Sequence, residues 1–563
     1  MEQQRVFLAI ALSIGVLLLW QVFFGPSPED LSQPAQTTGN TSAVTTGGVV
    51  ATSGGVTTTT GGNTTISPSP APQPVAVEKI DPIDLPFKSK DFEATITNVG
   101  GRLKSMKLIE PKQYKPRGDL MLPAGPTGSA PETPPAGSLE HLPFTVKLGQ
   151  PATLLENAVY KVASKSDDKI VLVYDDPAGR FSLERSYLTN PDLPNSFLID
   201  LKITNKHPSI ALSDALSFVI YGQQPEGSGE WSLLNPIPDV TESVCSTSDG
   251  IERAAGDDAA EKPTFKGPIR WGSVDSRYFT AAIIAPEKAQ FASCAFDLVN
   301  DKRYFRTELT TTPFNLAPGA TQSWTFTSFV GPKSVDLMER FDAGLERTID
   351  YGIFEPLCRP IRWLLVKFHG MSGNWGIAII LLTVLLRMIL LPVNHKSYKS
   401  MEGMRRIQEP MQEIKKKYDN DPMKMQEEMM KLYKTEGVSP FGCLPQLLQI
   451  PIFFALYRTI YSSVELYHAS FFAWYTDLSA PDPYYVLPVL VGVAMFGQQF
   501  LMPNTAPNPQ MKYVMYAMPV MFSLFTFVLP AGLALYICVS VGLGIAQQFY
   551  IRRSQETEKT ATA

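Results

Sequence analysis

Apolar residues gather at the two ends of the chain, and a short-period pattern fills the stretch between them. Val6–Phe24 carries no charge, follows Arg5, and is long enough to cross the ~30 Å hydrocarbon core of a bilayer. It reads either as an uncleaved anchor or as the apolar core of a cleaved signal peptide. No small-x-small cleavage pattern precedes Gly25, and the run exceeds the roughly 7–15 residues of a signal core, which favours the anchor. The last third holds further apolar runs at Trp375–Pro392, Phe441–Ile460, Tyr485–Met502, Tyr516–Leu529 and Leu533–Phe549, with Pro530-Ala531-Gly532 as a turn between the last two. Six spans result.

Between these ends the periodicity changes twice. Phe92–Thr97, Lys169–Tyr174, Phe197–Thr204, Tyr278–Ala285 and Ser323–Val330 alternate or are β-branched, and Gly, Pro and Asn clusters separate them. Ile199, Leu201 and Ile203 share one face of their strand, so residues 80–333 read as one large antiparallel β-sandwich. Val335, Met338, Phe341, Leu345 and Ile349 then follow helical spacing, as do Ile353, Leu357, Ile361, Leu364 and Phe368 opposite Arg359, Arg362 and Lys367. This second helix is too polar to span. It lies either in the outer membrane interface or against the β domain.

Charge sets the orientation. The segment 394–440 carries Lys396, Lys399, Arg405, Arg406, Lys415, Lys416, Lys417, Lys424, Lys431 and Lys434, whereas 462–484 has no Lys or Arg and holds Glu465, Asp477 and Asp482. Basic short loops stay in the cytoplasm, so both termini face inward and the β domain lies outside. The chain then divides into an anchor (1–24), a disordered linker (25–79) and the β domain (80–333). Amphipathic helices follow (334–373), with later spans at 374–393, 441–461, 485–502, 515–529 and 533–550. A hairpin (394–440), an outer loop (462–484), a cytoplasmic loop (503–514) and a tail (551–563) connect or close them.

Composition narrows the chemistry. Only 18% of the 563 residues are charged, below the ~25% of soluble domains, and a net charge of −5 excludes a generally basic nucleic-acid binder. The five cysteines show no CxxC spacing, which argues against a metal or redox motif. Cys245 and Cys294 both fall in the β domain, where an oxidising compartment would permit a disulfide. No Walker A, GxSxG or HExxH pattern occurs, and the spans contain neither Asp nor His, so neither catalysis nor a cofactor is indicated. A transporter would call for paired intramembrane charges and internal repeats, and neither is visible.

Two features remain. Arg387 lies inside an apolar run, where a charge costs roughly 2.5–3.5 kcal/mol to insert. It either snorkels to the cytoplasmic side, about 7–8 Å away, or marks a hydrated groove. Thr383, one turn before it, with Gln446, Gln449, Gln498, Gln499 and Tyr536, would line such a groove; the glutamines read equally as interhelical hydrogen-bonders. The second feature is the hairpin, where Met401, Met404, Met411, Met425 and Met429 sit on its apolar face. Flexible thioethers suit the docking of varied apolar segments, or simply fix the two helices together.

Trp375-Gly376 followed by Arg387, the basic hairpin, and Pro440-Phe441-Gly442-Cys443-Leu444-Pro445 leading to Gln449-Ile450-Pro451 together resemble the YidC family of bacterial membrane protein insertases. So do Asp477-Leu478-Ser479, Asp482-Pro483-Tyr484-Tyr485, Pro530-Ala531-Gly532-Leu533 and, in the β domain, Asn98-Val99-Gly100-Gly101. The resemblance implies a six-helix inner-membrane protein with a five-helix insertase core and a periplasmic antiparallel β-supersandwich. It implies insertion and folding of nascent integral membrane proteins, alone or with the Sec translocon. Ribosomes would bind the basic loop and tail, lipids would flank the core, and neither a cofactor nor nucleic-acid recognition is implied. Arg387, Thr383, Gln449 and Tyr536 match groove positions of that family.

Overall fold

The computed structural model describes residues 80–109, 141–149, 155–224, 240–299, 304–418, 421–436, 444–501 and 509–562. The expected anchor and linker fall outside these residues.

The β domain is antiparallel throughout its described ladders. A nine-stranded sheet runs from Ile251–Ala255 through Glu242–Ser246, Trp271–Asp275, Phe279–Ile284, Thr321–Pro332, Ser196–Asn205, Phe181–Thr189 and Lys169–Asp175 to Lys161–Lys165. A five-stranded sheet orders Thr264–Ile269, Phe291–Val299, Tyr304–Thr311, Leu216–Gln223 and Thr145–Leu148. A smaller sheet of Asp84–Lys88, Phe92–Thr97 and Arg102–Leu108 adds to the same core. Alternation decides which face goes inward: Phe197, Ile199, Leu201 and Ile203 are fully buried, whereas Lys202 between them is exposed. Asn98 holds the first turn of the domain, accepting from Ile83 N (2.7 Å) and donating to the Asp81 and Tyr160 carbonyls. Arg185, fully buried, donates to the carbonyls of Gly100 and Phe144.

Residues 335–349 correct an expectation. They form one turn of α-helix at Val335–Met338 and two 3-10 turns, Glu339–Phe341 and Leu345–Thr348, instead of one helix. Asp342 (φ 47°) and Gly344 (φ 70°) adopt left-handed backbone and interrupt it. The apolar stripe nevertheless buries as its spacing implies, with Met338, Phe341, Leu345 and Ile349 all in the core beneath.

Eight longer helices follow: α1 (Glu355–Ser372), α2 (Trp375–Arg406), α3 (Gln408–Lys417), α4 (Pro422–Thr435), α5 (Leu444–Ser462), α6 (Val486–Leu501), α7 (Pro509–Thr526) and α8 (Ala531–Thr562). Among the described residues, Trp375–His395 and Ala531–Ile551 are long and apolar enough to cross a membrane, and Val486–Phe500 and Tyr516–Thr526 are shorter apolar stretches. Helix α8 packs on α2, α5 and α6, while α7 packs on α6. The turn before α8 docks on the outer loop: Ala531 N donates to Ala480 O (2.7 Å) and Gly532 N to Leu478 O (2.9 Å). Asp482 caps α6, accepting from Leu487 N (2.7 Å) and the Tyr475 hydroxyl (3.2 Å).

In helix α1, Cys358, Ile361 and Leu365 are buried and Leu364 and Phe368 pack against the same core, whereas Ile353 and Leu357 of the apolar stripe are exposed. Arg362, on the polar side by spacing, points inward and donates to Glu465 (2.7 Å).

Charged side chains also tie the β domain to the bundle. Arg277 lies 3.5 Å from the centre of the Tyr461 ring and donates to that residue's carbonyl, and Arg458 pairs with Asp350 at 2.9 Å. Burial alone would raise the Asp350 carboxyl, but the Arg458 and Arg253 guanidinium groups outweigh it and hold the carboxyl below its ordinary range. A depressed folded value stabilises above the unfolded carboxylate pKa of ~3.9, and that contribution is lost as pH falls through the folded value. Asp350→Asn is therefore expected to cost about 1 kcal/mol at pH 7 and to flatten the acid side of the stability profile. Thermal unfolding in detergent between pH 7 and pH 3 measures both, and an unchanged midpoint at pH 7 would rule the pair out as a stabilising tie.

Candidate functional site

Helix α2 brings Arg387 into the bundle about one and a half turns before its Pro392, on a segment that is otherwise apolar from Trp375 to Leu391 apart from Thr383. Thr383 is buried, and its hydroxyl donates back to Ile379 O (2.7 Å), so it satisfies its own helix instead of offering a free group. Arg387 is half-buried and reaches across to α8, where Nε and Nη2 donate to Ser540 Oγ at 3.0 and 2.7 Å. The Ser540 hydroxyl that it meets is neutral. A guanidinium keeps its charge in such surroundings.

Tyr536 stands one turn before Ser540, buried at 4% exposure, and interacts with the Ser540 hydroxyl. Gln449 of α5 reaches the Tyr536 hydroxyl at 3.4 Å. On the far side, Gly544 follows Ser540 by another turn. A Cβ there would lie 3.2 Å from Gln498 Nε2 of α6 and 3.8 Å from both terminal guanidinium nitrogens of Arg387. Glycine at 544 thus lets α6 and Arg387 converge on one spot. Of the four groove positions anticipated from sequence, Arg387, Gln449 and Tyr536 come together, while Thr383 lines the same face with its hydroxyl engaged. Ser540 and Gly544 were missed. Tyr536, Ser540 and Gly544 recur every four residues, a spacing that puts them on one helix face, so the signal was present.

The hairpin also differs from expectation. Helix α2 runs unbroken from the apolar segment to Arg406, and the first arm bends at buried Ile407. Asp421 caps α4 by accepting from Lys424 N (3.1 Å). Met411 is half-buried and its sulfur accepts from the Tyr433 hydroxyl (3.4 Å), while Met425 and Met429 are half-buried too. Met411 thereby joins the two arms. Met423 (82%) and Met430 (45%) are the exposed thioethers. The side chains of Met401 and Met404 lie outside the described set.

Residues 367–559 match the family model described as 60Kd inner membrane protein, and residues 141–364 match that of the YidC periplasmic domain. The membrane protein insertase YidC of Geotalea uraniireducens is 31% identical over 570 residues, across 98% of this chain and 99% of the relative. The protein of the same description from Geotalea daltonii is 38% identical over 349 residues, a match to 62% of this chain and to 64% of the relative, just under two thirds. Among solved structures, the active YidC insertase with its first transmembrane domain resolved is 20% identical, with a TM-score of 0.35 over 84% of this chain and 95% of that one.

Losing a hydrogen bond to a charged group costs about 1.5–3 kcal/mol. Ser540→Ala is expected to lower the stability of the detergent-solubilised protein by that amount, with Ser540→Thr restoring part of it. Equal melting of the alanine variant and the parent would show that Ser540 does not hold Arg387.

Proposed function

Because the chain belongs to the YidC family of membrane protein insertases, we propose that it inserts and folds integral inner-membrane proteins through a hydrated groove around Arg387 that opens to the cytoplasm. The family is one of insertases, not enzymes, so the work asked of the residues is solvation and positioning. The observation that carries this reading is a guanidinium inside an apolar helix that donates to the Ser540 hydroxyl of α8, beside the linked Tyr536 and Gln449 side chains.

Six spans with both termini in the cytoplasm would put the β domain outside and the basic hairpin inside. A client's apolar segment docks on the hairpin and passes between α5 and α8 into lipid. Transfer contributes roughly 0.3–0.6 kcal/mol per Leu, Ile, Phe or Val, so a segment of about twenty residues gains on the order of 6–12 kcal/mol. Each Asp in its leading tail opposes this by roughly 2.5–3.5 kcal/mol while crossing. The net balance is favourable for tails with few acids, but the barrier of the tail's passage remains. Arg387 and groove water lower that barrier by replacing bulk solvation, and acidic tails gain most from a positive charge. Arg387, Gln449 and Tyr536 are the groove contacts, with Thr383 shaping its wall. Nascent membrane proteins are the clients, and lipids flank the exit. The Sec translocon acts as an alternative partner, and ribosomes engage the basic hairpin and tail.

Purified protein in liposomes, given a single-span client without nucleotide, tests this through protease protection of the client's translocated tail. Protection that requires the protein is expected. Arg387→Ala should reduce protection of acidic-tailed clients by about tenfold, the effect of ~1.4 kcal/mol, and leave neutral tails little changed. Equal loss or equal retention for both tails would remove the charge role.

A further inference from the structure

Away from the groove, the β domain holds two buried thiols whose juxtaposition follows from the sheet register. Cys245 pairs laterally with Gly272 in the nine-stranded sheet, and Cys294 pairs with Leu309 in the five-stranded one. Lateral partners in an antiparallel ladder point to the same face. Across the sandwich Gly272 approaches Leu309 so closely that an added Cβ would sit 2.7 Å from Leu309 Cδ2. The two cysteines beside this contact therefore face each other across the core. Both have no exposed surface, both belong to the same apolar cluster, and their thiols interact directly. Each lies on a strand next to the edge of its sheet, adjoining Ile251–Ala255 in one and Thr264–Ile269 in the other. Both cysteines are in the thiol form here.

We propose that Cys245 and Cys294 are oxidised to an inter-sheet disulfide in the mature protein. The proposal rests on the β domain lying outside the cytoplasm, where disulfides persist, and not on the insertion mechanism. The step is thiol–disulfide exchange with a disulfide-bearing oxidant. One cysteine thiolate attacks the oxidant, whose S–S bond breaks as a mixed disulfide forms. The second thiolate then attacks the mixed disulfide at the sulfur belonging to this chain, and the oxidant leaves as a dithiol. Two S–H bonds give way to one S–S bond, and the oxidant accepts the two electrons and two protons.

Timing follows from burial. Desolvation pushes the Cys294 thiol well above its ordinary range, so few thiolates form once the sandwich has closed. Exchange belongs to the stage before the sheets meet, and closure afterwards shields the bond from reductants. The bond encloses a loop of about 48 residues, a size for which cross-linking strongly restricts the unfolded chain.

The test uses the full chain in cells quenched with acid, denatured, and alkylated with a maleimide-polyethylene glycol before any reduction. Five cysteines with two paired leave three to be modified, and prior reduction should bring the count to five. A Cys245→Ser variant should show four with or without reductant, and a non-reduced digest should contain the Cys245 and Cys294 peptides joined. Five modifications without reductant would overturn the proposal, as would a bond involving Cys358, Cys443 or Cys538. Protease added to spheroplasts reports separately whether the β domain is outside. A protected domain would overturn the proposal through its premise, whereas an accessible domain with five free thiols would overturn the pairing alone.

Discussion

A guanidinium cannot lose its proton, and an apolar helix cannot solvate it. Arg387 sits under both constraints, and much of the bundle is arranged to meet them. Its nitrogens bond to Ser540, Ser540 leans on Tyr536, and Tyr536 is reached by Gln449. Gly544 leaves the space in which Gln498 approaches from α6. The neutral hydroxyl of Ser540 holds the side chain in place, with Tyr536 and Gln449 behind it.

The helices that carry this arrangement are fixed from outside the apolar region. Arg362 points toward Glu465, Asp482 caps α6, and the turn before α8 donates two backbone hydrogen bonds to the 462–484 loop. Arg277 joins this end of the bundle to the β domain, and Arg458 ties it to Asp350 in the segment that follows that domain. A continuous apolar core runs across the same junction, from Trp271 and Phe329 of the sheet to Cys358 of α1 and Leu382 of α2. In the hairpin, by contrast, the Tyr433 hydroxyl donates to the Met411 sulfur, and Met423 and Met430 are exposed.

Periodicity and charge determined a good deal of this protein from sequence. Alternation at Phe197–Ile203 fixed which strand faces are buried, because a pleated strand has a strict two-residue period. A lone Arg387 in an apolar run marked the site, because its insertion cost demands a polar environment. The spacing of Met338, Phe341, Leu345 and Ile349 identified buried positions even though the backbone there is not a continuous helix, since tight turns can present the same side inward.

What tertiary structure alone decided are the pairings between distant segments. Ser540 as the partner of Arg387, Gln498 beside Gly544, and Cys245 opposite Cys294 each depend on which helices or sheets pack together, and a periodic pattern holds no information about the neighbour. The inward turn of Arg362 is another instance: spacing put it on the polar side of α1, and its partner Glu465 lies more than a hundred residues away. Local pattern sets which residues prefer to be buried; long-range partners determine which of those preferences are met.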